Sequence, residues 1–480
     1  MVQKRILFLL IAALIFSTTA CNKNEAEVGN GDYKEVNDWI LENMQLYYLW
    51  NTHIPQKNNK ALNPDEYFES LLYRPTDKFS WIQDNFIELL NSLSGVNTEA
   101  GYDFNLLRMG ENSSDVLGYI TYIKPNTPAE AAGLARGDYF ISINGSQLNM
   151  NNYSSLIAQT SEQHILGIAV ISENTIVSTR NITLNVIENY AENPILLDTI
   201  YQINDKKIGY FVYNFFARDN GDESVSYEKE LNMLFYKFKS ANINELIVDL
   251  RYNSGGAGIT TEALASMISG RSKADVFYYN EYNSIVSQAL RSEYGQDYNK
   301  NYFADNIEKY NSAGMVTEQT PINCLTGLSK VYFITSNRTA SASELLINGL
   351  KPYMDVALIG GTTYGKNVGS LTIYEQDPVK QKTNKWGMQP VVIKVSNAVG
   401  FSDFGDGFSP DIEVYEHNSD LIKPLGDTEE LMLQTTLNAI FGTSRSQTKA
   451  ANRIASFIGS SMDKTPARQN LYIVQKNIVK

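Results

Sequence analysis

The stretch Asn337–Leu350, NRTASASELLINGL, sets two serines between an apolar, β-branched run, KVYFITS, and a helix-like pattern. Ser341-x-x-Glu344 has the spacing of a capping box, in which serine and glutamate satisfy each other's free backbone N–H groups. Either Ser341 or Ser343 could also serve as a nucleophile if a base lay beside it. The usual base is histidine, and the chain has His53, His164 and His417 only. None of these falls at a strand end near the serines, so all three read as structural. No G-x-S-x-G occurs, which argues against an α/β-hydrolase elbow. An activated serine here therefore requires another base.

A neutral lysine can take a serine's proton. A free lysine has a pKa of about 10.4, so bringing it near 7 costs about 4 kcal/mol, which burial in an apolar pocket can impose. Lys366 is the candidate: DVALIGGTTYGKNVGSLTIYEQ places it in a glycine-rich loop between two apolar strands. The same loop nearly matches a phosphate-binding motif, Gly360-x4-Gly365-Lys366. However, Asn367 stands where Ser or Thr would bind magnesium, and a β-like stretch follows instead of a helix. A third loop ends the strand ELIVDLRYNSGGAG in Gly255-Gly256. Adjacent glycine N–H groups can stabilise an oxyanion, together with the N–H that follows a nucleophile at a helix start.

These loops need elements to position them. The chain has 480 residues, 43% hydrophobic and 19% charged, an ordinary composition for a folded protein of several domains. It opens with a positive start, MVQKR, an eleven-residue apolar run, ILFLLIAALIF, and small residues leading to Cys21. This reads as a secretory signal over residues 1–20, and the cysteine makes it similar to a lipoprotein signal with Cys21 as lipidation site. Residues 21–32 read as a polar tether. Removing residues 1–20 leaves 38 basic against 53 acidic residues, a charge of −15. That argues against nucleic acid and against a bare anionic membrane surface, leaving a lipid anchor as the membrane contact. Cys324 is the only other cysteine, so no intrachain disulfide is expected, and neither C-x-x-C nor H-E-x-x-H suggests a metal.

Residues 33–94 read as helical: Val36, Ile40, Met44 and Tyr47 recur at near-helical spacing. Residues 95–190 change texture. YITYIKPNTPAEAAGLARGDYFISINGSQL reads as strand, turn, short helix, turn, strand and hairpin, and resembles a PDZ domain. Such a domain takes a peptide as an added strand on a sheet edge. Gly101, Tyr102, Asp103 and Phe104 resemble its peptide-binding loop, with Asp103 replacing the usual apolar residue. Over residues 191–427, apolar strands alternate with helical stretches, which predicts an α/β core with strands buried on both faces. Residues 275–325 are rich in Tyr, Asn and Ser and give no clear pattern. Residues 428–480 read as a helix, TEELMLQTTLNAIF, followed by a polar tail.

Three motifs follow the PDZ-like segment in order. DLRYNSGG, TASASELL and GGTTYGKNVGS resemble the signatures of the C-terminal processing peptidases, also called tail-specific proteases, and the YYLW region resembles their Bacteroidetes lipoprotein branch. The resemblance implies a ClpP/crotonase-like α/β core and a serine endopeptidase acting on polypeptides, recognised at the C-terminus, in the cell envelope. It implies no cofactor. It selects Ser341 over Ser343 as nucleophile, makes Lys366 the general base, and assigns oxyanion donors to Gly255 or Gly256 and Ala342. The family's lysine-orienting glutamine is replaced here by Ser370. That departure motivates an alternative from another class, a catalytically silent surface lipoprotein that binds peptides.

Overall fold

The computed structural model describes residues 33–74, 76–110, 112–172, 175–311, 315–419, 421–443, 455–464 and 472–473. The leader, Cys21 and the tether lie outside the described residues. Among those described, no helix is long and apolar enough to cross a membrane.

Three helices open the described chain: α1 (Lys34–Tyr47), α2 (Pro64–Leu71) and α3 (Phe86–Leu93). Val36, Ile40, Met44 and Tyr47 do line the buried face of α1. They do not form a core of their own. They join one continuous cluster with Tyr67, Phe211, Leu250 and Phe277. Backbone bonds extend the union. Strand Trp81–Gln83 pairs antiparallel with Gly387–Gln389, and Leu49 N donates to Val391 O at 2.9 Å.

The PDZ-like unit is an antiparallel sheet of β1 (Tyr102–Met109), β2 (Val116–Ile123), β3 (Tyr139–Ile143), β4 (His164–Ser172) and β5 (Thr175–Leu184), with short helices α4 (Pro128–Ala131) and α5 (Tyr153–Ala158). Phe104, Ile120, Phe140, Leu166 and Leu184 fill its separate core. Asn144 and Gly145 both take positive φ, as an Asn-Gly hairpin turn requires.

The α/β unit carries strands in the spatial order β6 (Ile195–Ile203), β7 (Lys206–Tyr213), β8 (Glu245–Asp249), β12 (Lys330–Thr335), β13 (Asp355–Gly360) and β16 (Ile412–Glu413). All neighbours are parallel except β6 with β7. Alternate side chains divide between two layers. Val248 and Phe333 meet the helices α6 (Tyr227–Ser240), α7 (Gly258–Ser269) and α9 (Ala342–Leu350). Ile247 and Ile334 meet α10 (Leu431–Phe441). Burial on both faces accounts for the continuous apolar runs of these strands.

A second sheet runs β9 (Gly256–Ala257), β18 (Tyr472–Ile473), β14 (Val368–Ser370), β15 (Val391–Asn397), β10 (Val276–Tyr282) and β11 (Lys300–Tyr302). Residues 275–325 thus resolve into β10, a helix α8 (Ser284–Tyr294), β11 and a hairpin of Asn306–Tyr310 with Val316–Pro321. The stretch read as a polar tail supplies β18 and also β17 (Ala455–Ser460), which pairs with β1.

Candidate active site

Three loops leave the carboxyl ends of adjacent parallel strands, where open α/β sheets place their ligands. The loop after β8 carries Gly255 and Gly256, the loop after β12 carries Ser341, and the loop after β13 carries Lys366.

Ser341 caps α9 with φ +60° and ψ −111°. This left-handed setting is costly for a residue with a Cβ and concentrates at functional sites. The residue is buried, and its Oγ has no hydrogen-bond partner. Only the glutamate half of the expected capping box is therefore a hydrogen bond: Glu344 Oε2 accepts from Ser341 N at 2.9 Å. Ser343 is bonded elsewhere, donating from Oγ to Asn253 O at 3.2 Å.

Glu344 does more than cap. The same Oε2 accepts from Lys366 N at 2.8 Å, while Oε1 accepts from Gly365 N at 2.7 Å and Thr363 Oγ1 at 2.6 Å. The backbone nitrogens of Ser341 and Lys366 thus lie no further apart than those two Oε2 distances laid end to end. One buried carboxylate holds the serine loop and the lysine loop together. Its burial pushes the Glu344 pKa upward against those four donors.

Lys366 is 1% exposed. Burial pushes its pKa down to about 7, against the pull of the Asp77 and Glu344 charges. Its Nζ sits 5.0 Å above the Phe79 ring. Ser370, four residues on, is buried in β14, its backbone paired with Val391 and Ile473.

The glycine pair divides its work. Gly255 N donates to Asn253 Oδ1 at 2.8 Å, so that N–H is already engaged. Gly255 O and Ala257 N both bond Phe216. Successive strand residues face opposite ways, so the N–H of Gly256 points away from Phe216, toward the edge on which Tyr472 pairs. A Cβ at Gly256 would lie 2.1 Å from Phe216 O, and its φ is +139°. Ala342 opens α9, so its N–H has no intrahelical acceptor. The oxyanion candidates reduce from three N–H groups to those of Gly256 and Ala342.

The histidines take structural partners. His164 Nε2 lies 2.8 Å from Tyr102 Oη, His53 stacks on Tyr73 and His417 on Tyr415. Among the described residues no cluster of His, Cys, Asp or Glu is placed to hold a metal.

The family profile "Peptidase family S41" matches residues 207–414, "Peptidase S41 N-terminal domain" residues 35–81, and "PDZ domain" residues 119–169. The chain belongs to the S41 family of C-terminal processing peptidases. A carboxyl-terminal-processing protease from Picosynechococcus sp. is 24% identical over 310 residues, which span 61% of this chain and 64% of that one. A crystal structure of a protein assigned to the S41 proteases of Bacteroides fragilis shares the fold. Its TM-score is 0.65 at 24% identity, and the match covers 89% of this chain and 100% of that one.

Against this S41 frame, Asp77 and Phe79 are the site neighbours that sequence reasoning missed. Both lie in RPTDKFSWI, within residues 33–94, which read only as helical. Asp77 is fully buried, its carboxylate accepting from Tyr48 Oη at 2.8 Å and from Phe79 N and Ser80 N at 2.9 Å each. Ser80 Oγ in turn accepts from Val391 N at 2.8 Å, tying this turn to the sheet that holds Ser370.

The proposed peptide loop opens β1. Gly101 has φ +91°. Asp103 pairs with buried Lys124 at 3.2 Å, and Glu192 pairs with the same lysine at 2.8 Å. Phe104 N donates to Ser461 Oγ at 3.2 Å.

Proposed function

We propose that this chain is a serine endopeptidase in which Ser341 is the nucleophile and Lys366 the general base. The observation that carries this reading is the sharing of one buried carboxylate, Glu344, by a strained serine with an unbonded hydroxyl and a buried lysine with a pKa near 7. Neutral Lys366 accepts the Ser341 proton as Oγ attacks the scissile carbonyl. The N–H groups of Gly256 and Ala342 hold the oxyanion. The lysine then returns the proton to the leaving amine, and water repeats the sequence on the acyl-enzyme. Substrates are polypeptides. The PDZ-like sheet engages them as an added strand along β1, with the Gly101–Phe104 loop at one end of that strand. The leader sequence supports envelope localisation through a lipid on Cys21, and loss of palmitate labelling in Cys21→Ala would bear this out.

The test is hydrolysis of an unfolded polypeptide by the chain from residue 22 onward, beside Ser341→Ala and Lys366→Ala. Each variant should lose at least about a thousandfold in kcat/KM. The wild-type rate should rise with pH through about 7, because the active lysine is the deprotonated one. Cleavage by Ser341→Ala at the wild-type rate would sink the assignment.

A further inference from the structure

Two edges in this molecule accept an extended strand, and one segment of the chain sits on both. The first edge is β1, which begins at the Gly101–Phe104 loop. On it β17 lies antiparallel, with Ala455 opposite Met109, Phe457 opposite Leu107 and Ser460 opposite Asn105. This is the geometry of a peptide added to a PDZ sheet. A free carboxylate end is not what the loop holds. The Ser461 hydroxyl accepts from Phe104 N and donates to Asp103 Oδ1. The chain then turns through Ser461–Lys464, with Asp463 Oδ2 accepting from Ser460 N at 2.8 Å. Asp103, the residue that departs from the PDZ pattern, is the acceptor that selects this hydroxyl.

The second edge lies in the catalytic cleft. β18 is the strand between β9, which carries Gly256, and β14, which begins two residues after Lys366. Tyr472 pairs with Gly256, while Ile473 pairs with Ala257 and with Ser370, all parallel. Strands lie about 4.8 Å apart. Lifting β18 out would leave β9 and β14 facing each other across a slot of about 10 Å, one strand wide. One wall of the slot is the candidate oxyanion strand and the other is the lysine loop's strand.

A cavity of about 210 Å³ lies beside the first edge, bordered by Phe457 and Ser461 on one side and by Arg338 and Thr362, of the loops that carry Ser341 and Lys366, on the other. Arg338, three residues before Ser341, pairs with Asp463 at 2.8 Å and lies over the Phe457 ring. The segment is thus also tied to the serine loop.

We infer that the β1 edge and the β9–β14 slot form a single polypeptide-binding path, and that its resident occupants are the chain's own residues 455–464 and 472–473. A substrate polypeptide must displace these residues to reach Ser341. A ligand tethered in the same chain acts at an effective concentration near millimolar, so its removal should show chiefly in KM. The inference rests on the peptidase reading for its kinetic consequence, but not for its binding consequence, and the two can be measured apart.

The experiment compares the full chain with a chain ended after Gly442 and with full-length Ser461→Glu, which sets a second carboxylate against Asp103 and leaves the fold's elements in place. Both variants should lower KM for an unfolded polypeptide by about tenfold or more with little change in kcat. A synthetic peptide of residues 455–473 should raise KM of the shortened enzyme competitively. The same peptide, fluorescently labelled, should bind the shortened Ser341→Ala protein, read by anisotropy without any hydrolysis. Unchanged KM in Ser461→Glu, with no peptide binding by the shortened protein, overturns the inference while leaving the peptidase assignment standing. Peptide binding without hydrolysis by any form upholds the occupied path and defeats the peptidase reading instead.

Discussion

Lys366, the proposed base, owes its lowered pKa to residues far from it in sequence. Burial pushes its pKa to about 7, while Asp77 and Glu344 pull the other way. The buried Phe79 ring covers Nζ and is part of that burial. Phe79→Ala should therefore let water in and raise the lysine's pKa. The midpoint of the pH–rate profile should move up by about one unit, and the loss at pH 7 should be largely recovered at pH 9. Asp77→Asn should move the midpoint down, because the charge that favours the protonated amine is gone. A structural role alone would lower the rate without moving the midpoint. The same burial carries a cost in stability. Holding a lysine near neutral at pH 7 costs about 4 kcal/mol relative to the unfolded chain. Lys366→Met should thus be inactive yet more stable, by about 1–2 kcal/mol once the lost lysine contacts are set against the relief. Thermal unfolding of the two proteins at pH 7 would show it. The candidates Ser341, Lys366 and the glycine pair could be picked out from the sequence because each sits in a short local motif. Asp77 and Phe79 could not, since nothing in RPTDKFSWI signals a lysine reached only through the fold.

At the scale of elements, Glu344 joins two loops that the sequence presents as separate motifs. Ser341-x-x-Glu344 was legible as a capping box, and α9 does begin there. What spacing could not show is that the serine, at φ +60°, turns its hydroxyl away from the cap, and that the freed capacity of the carboxylate is taken by the lysine loop. Glu344→Gln tests this joint. Each carboxylate oxygen accepts two hydrogen bonds, and an amide nitrogen in place of either would face two donors. Leaving two buried donors unmet should cost about 2–4 kcal/mol and reduce kcat more than KM, because the proposed nucleophile and base separate. Urea unfolding and steady-state kinetics would report the two effects. If activity stayed intact at unchanged stability, Glu344 would be a cap and nothing more. The apolar strands β8, β12 and β13 were legible for the opposite reason: burial on both faces leaves a continuous signal in each strand alone. The two strands of the polar tail carry no such signal. Their pairing is set by the edges they meet, β1 in one case and β9 with β14 in the other.

At the scale of the whole molecule, the PDZ-like unit is fastened to the α/β unit by buried charge, beside one small apolar cluster of Leu107, Tyr119 and Ile422. Arg136 of the PDZ-like unit reaches Glu416 at 2.8 Å and Lys423 O at 2.8 Å. Tyr252 and Tyr119, one from each unit, donate to the same Glu416 carboxylate at 2.6 and 2.9 Å. Beside them Arg251, from the DLRYN motif, spans Asp249 and Glu430, each at 2.8 Å. The motif's arginine and aspartate are thus structural. LARGD and EVYEHN contain the partners of this junction, but no spacing relates them, so the modules were legible and their fastening was not. Burial alone would raise the Glu416 pKa, but Arg136 and Arg251 outweigh it and hold the value at about 2. A carboxylate depressed from about 4.5 to about 2 contributes about 3 kcal/mol. With the folded pKa below the unfolded one, that stability is fully present above pH 4.5. It is lost as pH falls from there toward 2. Glu430 is depressed by the same arginines and acts in the same direction. Asp249, whose burial raises its pKa, acts in the opposite one. The junction should therefore loosen between pH 4.5 and 2 while the apolar cores of the two units persist. Amide exchange around Tyr119 and Tyr252 should accelerate in that window before exchange in β8 or β12 does. Glu416→Gln should show the faster exchange already at pH 7 and lose most of the pH dependence. If exchange at the junction and in β8 rose together, the units would be undoing as one cooperative block, and the buried charges would not be their separate fastening.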